Sequence, residues 1–155
     1  MSKPKPVRRL VTMDDERGTS RTVEDGPAPD VRTDPARPGF SSTLIWATDR
    51  SPARIANRLP AIGDTMAPPP GGSLCRIVAL PPDRGRSFIM QKTCTLDFCI
   101  VLEGAVTLIL DTEEVQLSAG DVVVQRGTRH SWSNRSDRIC ILAISSHDAT
   151  EAAHA

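Results

Sequence analysis

Thirteen prolines and ten glycines interrupt the 155 residues so regularly that no window is left with the apolar spacing of a long helix. What survives between them is a series of short, alternating, β-prone stretches, and a mostly β chain is expected. The expected strands are Arg8 to Met13, Thr19 to Glu24, Thr43 to Thr48, Leu74 to Leu80, Ser87 to Glu103, Ala105 to Leu110, Val115 to Leu117, Asp121 to Gln125, Ser131 to Asn134 and Ile139 to Ser145. Many short strands separated by turn signals suggest a sandwich or a barrel. Asp14-Asp15-Glu16-Arg17-Gly18 reads as a hairpin loop, which makes the first two strands an N-terminal ribbon. Prolines at 27, 29, 35 and 38 oppose regular pairing and predict an extended connector. Ser51 to Leu59 is predicted as one short helix, with Ser51 as N-cap, Pro52 at the first helical position, and Ile55 and Leu59 on a shared face. Met66 to Gly72 reads as a stiff stretch ending in a flexible hinge, and Glu151 to Ala155 as a frayed end.

Charge narrows the function. Nineteen basic and nineteen acidic side chains cancel, so no overall field attracts nucleic acid or an anionic membrane. The longest apolar runs fall short of a bilayer span, and Met1 to Pro6 is not followed by the apolar stretch of a signal peptide; the expected location is cytoplasmic. Cys75, Cys94, Cys99 and Cys140 show no zinc-type spacing and are expected to be reduced, buried thiols.

Two stretches carry the functional signal. The first is Asp97-Phe98-Cys99-Ile100-Val101-Leu102-Glu103-Gly104; the second comprises Gly120-Asp121, Gly127-Thr128-Arg129-His130 and Asn134. Together they resemble the two signature motifs of the cupin superfamily, and the resemblance covers roughly residues 88 to 146. It implies a small single-domain cupin: all-β, a double-stranded β-helix (jelly-roll barrel), here with an N-terminal β-ribbon. Residues 1–86 would supply the N-terminal strands, the proline-rich connector and the start of the barrel, 87–146 the core motifs, and 147–155 a flexible tail. Counting back from Gly104 places Asp97 in the glutamate slot, with Gln91 and Thr93 where the family pattern has histidines. His130 is the one intact ligand-type position, so the metal motif is degraded.

Alternation puts Gln91, Thr93, Thr95, Asp97 and Cys99 on one strand face, and Leu96, Phe98, Ile100 and Leu102 on the other. If the polar set points inward, the apolar set needs a cover, either the ribbon or a second subunit, and a homodimer is expected. The same alternation puts His130, Trp132 and Asn134 on a shared face, with Ser131 and Ser133 turned away.

A carboxylate and an imidazole in one cavity suit proton transfer. The expectation is a small-molecule lyase or isomerase with Asp97 as base and His130 as acid or orienting donor. Gln91, Thr93, Trp132 and Asn134 would line the site of a small organic substrate. Two alternatives stay open: a metal-dependent oxygenase, its divalent ion held by Gln91, Asp97 and His130, and a non-catalytic binding cupin. No metal is expected with this degraded set. Cys99 shares the inward parity and reads as apolar filler, Trp46 as core or interface, and Arg126 and Arg129 as solvated residues near the mouth.

Overall fold

The computed structural model describes residues 4–56 and 66–152. Three antiparallel sheets account for every strand among them. β1 (Arg8–Asp14) and β2 (Ser20–Pro27) form the expected ribbon. The main sheet runs in the order β3 (Val31–Thr33), β4 (Ser41–Thr48), β5 (Ser73–Leu80), β11 (Cys140–Asp148), β6 (Thr95–Glu103), β9 (Val122–Arg126). A smaller sheet, β10 (Ser131–Ser133), β7 (Ala105–Ile109), β8 (Glu114–Ser118), faces it. This is the all-β jelly roll that the resemblance implied.

Hydrophobic alternation sets the register. Thr95, Asp97, Cys99 and Val101 of β6 are buried, whereas Phe98, Ile100 and Leu102 are exposed. Pairing with β11 aligns Val101 with Leu142, Cys99 with Ile144 and Asp97 with Ser146. β5 continues these rows with Val78 opposite Leu142 and Arg76 opposite Ile144. The interior therefore grades from a dry end to a wet end along β11. At the dry end Val78, Leu80, Val101, Val106, Cys140 and Leu142 form the core, with Trp132 packed against it. Leu142 is 0 % exposed, and burying side chains of this kind contributes roughly 1.5–3 kcal/mol each.

Gly104 turns β6 into β7 at φ 78°. A Cβ there would come within 2.9 Å of the Ile139 carbonyl oxygen, so only glycine fits this turn.

Several expectations need correction. Val31–Thr33 pairs with Thr43–Ser41 inside the supposed connector, because β4 offers it an open edge. Ser51 to Ala56 bend and run irregularly; Ile55 is 95 % exposed, so no packing supports a short helix. The remainder of that predicted helix, 57–59, lies outside the described residues. Ser87 to Cys94 is not strand apart from one bridge between Gln91 and His130, since no neighbouring strand continues alongside it. The supposed hinge is fixed: Gly71 N–H donates to Asp148 Oδ2 at 2.6 Å, and Gly72 lies so close to Thr48 that a Cβ would meet its carbonyl oxygen at 1.9 Å. β11 runs on through His147 and Asp148, into the expected tail.

Candidate functional site

Four buried polar atoms lack a hydrogen-bond partner among the described residues. They are Asp97 Oδ1, Gln125 Nε2, Arg76 Nε and Ser42 Oγ. Leaving such an atom unpaired costs roughly 1–3 kcal/mol; Asp97 Oδ1 and Gln125 Nε2 face the wet end of the interior from adjacent strands. Asp97, 7 % exposed, sits directly opposite Gln125 on β9. One residue is an acceptor and the other a donor, yet they do not bond, which leaves both atoms available to a third group.

Arg76 faces this space from β5. Burial holds its guanidinium below the ordinary range; the charge of Asp97 opposes that shift, and Arg32 reinforces it. Neither arginine was among the expected site residues. The signal was present in β5, where Arg76 shares the inward parity of Leu74, Val78 and Leu80.

His130 is half-buried at the end of the small sheet. Its Nδ1 lies 2.8 Å from the Thr128 carbonyl oxygen, which can only accept, so Nδ1 carries the proton and Nε2 is left as the reactive atom. The Thr128 hydroxyl donates to Gln125 Oε1, so one loop orients both His130 and Gln125. The His130 ring meets Trp132 edge-on, with centroids 6.0 Å apart. No hydrogen bond or ion pair joins Asp97 to His130 among the described residues; the neighbours of Asp97 are instead Gln125, Ser146, Cys99 and Arg76.

The other expected lining residues divide. Trp132 points inward against the core. Gln91 is exposed, its backbone bridged to His130, and Thr93 is exposed with its hydroxyl 2.9 Å from that of Thr95. Asn134 is not available as a lining residue. Its Nδ2 donates to the carbonyls of Leu80 (2.8 Å) and Arg138 (2.7 Å), and its Oδ1 accepts from Ser136 N (3.0 Å) and Oγ (2.7 Å). Every hydrogen-bonding position on that amide is taken by the turn it organises. The serines expected to face away are themselves buried, and Ser133 Oγ donates to Asp83.

Burial, with the Asp97 charge adding to it, pushes the Cys99 thiol up to about 12, and burial pushes Cys140 up to about 11. Neither is a thiolate at neutral pH. All four cysteines are free, but Cys94 is exposed rather than buried. Arg129 lies 3.5 Å from Asp111 on the surface. Trp46 is covered by the ribbon through Arg9, whose guanidinium stands 5.9 Å from the ring centre.

A divalent ion does not suit this donor set. No group of three or more His, Cys, Asp or Glu side chains converges among the described residues. Gln91 and Thr93 offer only a neutral amide and a hydroxyl, which are weak ligands.

Residues 77–145 match the family model Cupin_2, cupin domain. Over 138 residues the chain is 33% identical to oryzines biosynthesis cluster protein J of Aspergillus oryzae, covering 84% of this chain and 75% of that protein. The chain is a cupin. This cupin is also 41% identical over 101 residues to phomopsin biosynthesis cluster protein C' of Diaporthe leptostromiformis, covering 60% of this chain and 52% of the relative. It is 32% identical to the cupin-domain-containing oxidoreductase virC of Hypocrea virens, covering 60% and 50%. It spans about half the length of these last two relatives. Among solved structures, it matches a putative ethanolamine utilization protein q of Salmonella typhimurium with a TM-score of 0.53 at 13% identity, covering 94% of this chain and 99% of that one, a likeness of fold alone. No helix among the described residues is long and apolar enough to cross a membrane.

Proposed function

We propose that this cupin is a small-molecule lyase or isomerase that works by proton transfer in its barrel interior. The observation that carries the reading is the unbonded pair of Asp97 Oδ1 and Gln125 Nε2, buried and side by side in register. In this reading Asp97 removes a proton from a carbon next to a carbonyl. Gln125 Nε2 then holds the oxygen on which charge develops. Fixed, desolvated donors stabilise that oxygen far better than water does, because they need no reorganisation. His130, with Nε2 open and Nδ1 anchored, is the residue that relays the proton to its new position or to a leaving group, and Trp132 walls the site beside it.

Incubation in D2O with a panel of β-keto acids and β-dicarbonyl compounds tests this without knowledge of the natural substrate. Wild type is expected to introduce deuterium at the acidic carbon of at least one compound, and Asp97→Asn to abolish it with the fold intact. Equal exchange by both proteins would remove the mechanism.

A second reading has support from a name: relatives such as virC are called oxidoreductases. Elemental analysis of the freshly purified protein separates the two. Stoichiometric iron, nickel or manganese that is lost in His130→Ala would favour a metal-dependent oxygenase.

The assembly we infer is a homodimer. Phe98 pairs with Val124 and Ile100 with Val122, giving β6 and β9 an exposed apolar outer face that Leu102 extends. The ribbon leans instead on β4, where Arg9 reaches the Ile45 carbonyl and Trp46. A second copy is the cover that supports this face.

A further inference from the structure

Beside the interior, between β3, β4 and β5, lies a cavity of about 220 Å³ whose polar lining includes Arg32, Ser42 and Arg76. Register explains the grouping. Arg32 is directly opposite Ser42, and Arg76 directly opposite Leu44, so two cations and a hydroxyl share one inward patch on adjacent strands.

Two observations on this patch point to an absent guest. Ser42 is 4 % exposed, and its hydroxyl has no partner among the described residues. Arg76 buries an equally unpaired Nε, and its Nη1 contacts Met66 Sδ at 3.7 Å, a poor acceptor. Asp97 attracts this guanidinium without forming an ion pair with it, and Arg32 repels it. An anion seated against Arg76 and Ser42 satisfies both orphaned groups at the same time. Asp30 stands exposed at the rim and Asp97 lies deeper inside, so the surroundings already hold two negative charges. These carboxylates oppose a dianion more strongly than a monoanion. The planar two-donor edge of a guanidinium matches a carboxylate in shape. Leu44 and Met66 supply an apolar wall for the rest of the guest.

We infer that Arg76, Arg32 and Ser42 form a subsite for a monocarboxylate, so that the substrates of this cupin are small carboxylic acids held by that group. The inference deepens the proton-transfer reading: a carboxylate gripped at Arg76 presents the adjoining carbons toward Asp97, on the other side of the same guanidinium.

Binding can be read independently of turnover, by titrating the full chain with benzoate, benzamide and phenyl phosphate and following ligand-observed NMR or calorimetry. Benzoate is expected to bind and benzamide not. Arg76→Gln should weaken benzoate by about 10-fold to 100-fold, the scale of one charge-assisted hydrogen bond. Ser42→Ala is a small change that keeps the test sharp should Arg76→Gln fail to fold, and should weaken benzoate several-fold. Asp97→Asn is expected to leave benzoate binding intact or tighter. Equal binding of acid and amide, tighter binding of phenyl phosphate, or unchanged benzoate affinity in Ser42→Ala would each overturn the carboxylate subsite. Absence of deuterium exchange in the wild type, with benzoate binding retained, would instead sink only the proton-transfer reading.

Discussion

Replacing Asn134 by alanine separates a turn-building amide from a substrate-binding one. The side chain is 1 % exposed and makes four hydrogen bonds, two as donor and two as acceptor. At about 1 kcal/mol net per bond, their loss amounts to roughly 4 kcal/mol. Three of the four bonds are only part-buried, and water replacing some of them brings the expected destabilisation to about 3 kcal/mol. For a chain of this length each kcal/mol lowers the melting temperature by about 2–4 °C, so Asn134→Ala should melt roughly 6–12 °C below wild type in a circular-dichroism scan. Asn134→Asp keeps the acceptors but sets a carboxylate against the Leu80 and Arg138 carbonyls, and is expected to be at least as damaging. Below the transition, benzoate affinity should match wild type in both variants. A melting point within about 2 °C of wild type for Asn134→Ala, or weakened ligand binding without a stability change, would refute this assignment.

Three further outcomes are expected. Iodoacetamide at neutral pH should label Cys94 first and spare Cys99 and Cys140 by mass spectrometry. Because the folded Cys99 thiol is raised from 9.0 to about 12, its contribution to stability is complete below pH 9 and is lost as pH climbs toward 12; chemical denaturation of Cys99→Ala across that window should show a shallower decline than wild type, and an identical slope would count against the burial argument. On the outer face, light scattering should report a dimer for wild type and a monomer for Ile100→Asp or Val124→Lys; a wild-type monomer, or variants that still dimerise, would refute the second-copy cover.

Much of the fold was legible because hydrophobic alternation is local. The inward set Thr95, Asp97, Cys99 and the outward set Phe98, Ile100, Leu102 follow from parity alone, and Gly104 announces its turn through the residues that flank it. What escaped depends on distant partners. Val31–Thr33 becomes a strand only because β4 is adjacent, which prolines on either side concealed. Asn134 occupied a motif position that suggested substrate, while the turn it ties through Ser136 and Arg138 was the stronger constraint. Gln125 carried no signal of its own, and its role emerged only from its register with Asp97. Arg76 was visible as the odd cation on an apolar strand face, but its significance required knowing that Asp97 lies one strand beyond β11.

The middle of the large sheet is closed by β11, which follows the other ten strands of the described residues in sequence. Until it arrives, the facing margins of β5 and β6 stand open as templates for stray β pairing, and the interior has neither floor nor seal. Assembly of the large sheet therefore depends on this strand, and folding yield should be more sensitive to changes near Cys140–Asp148 than to equal changes in the ribbon.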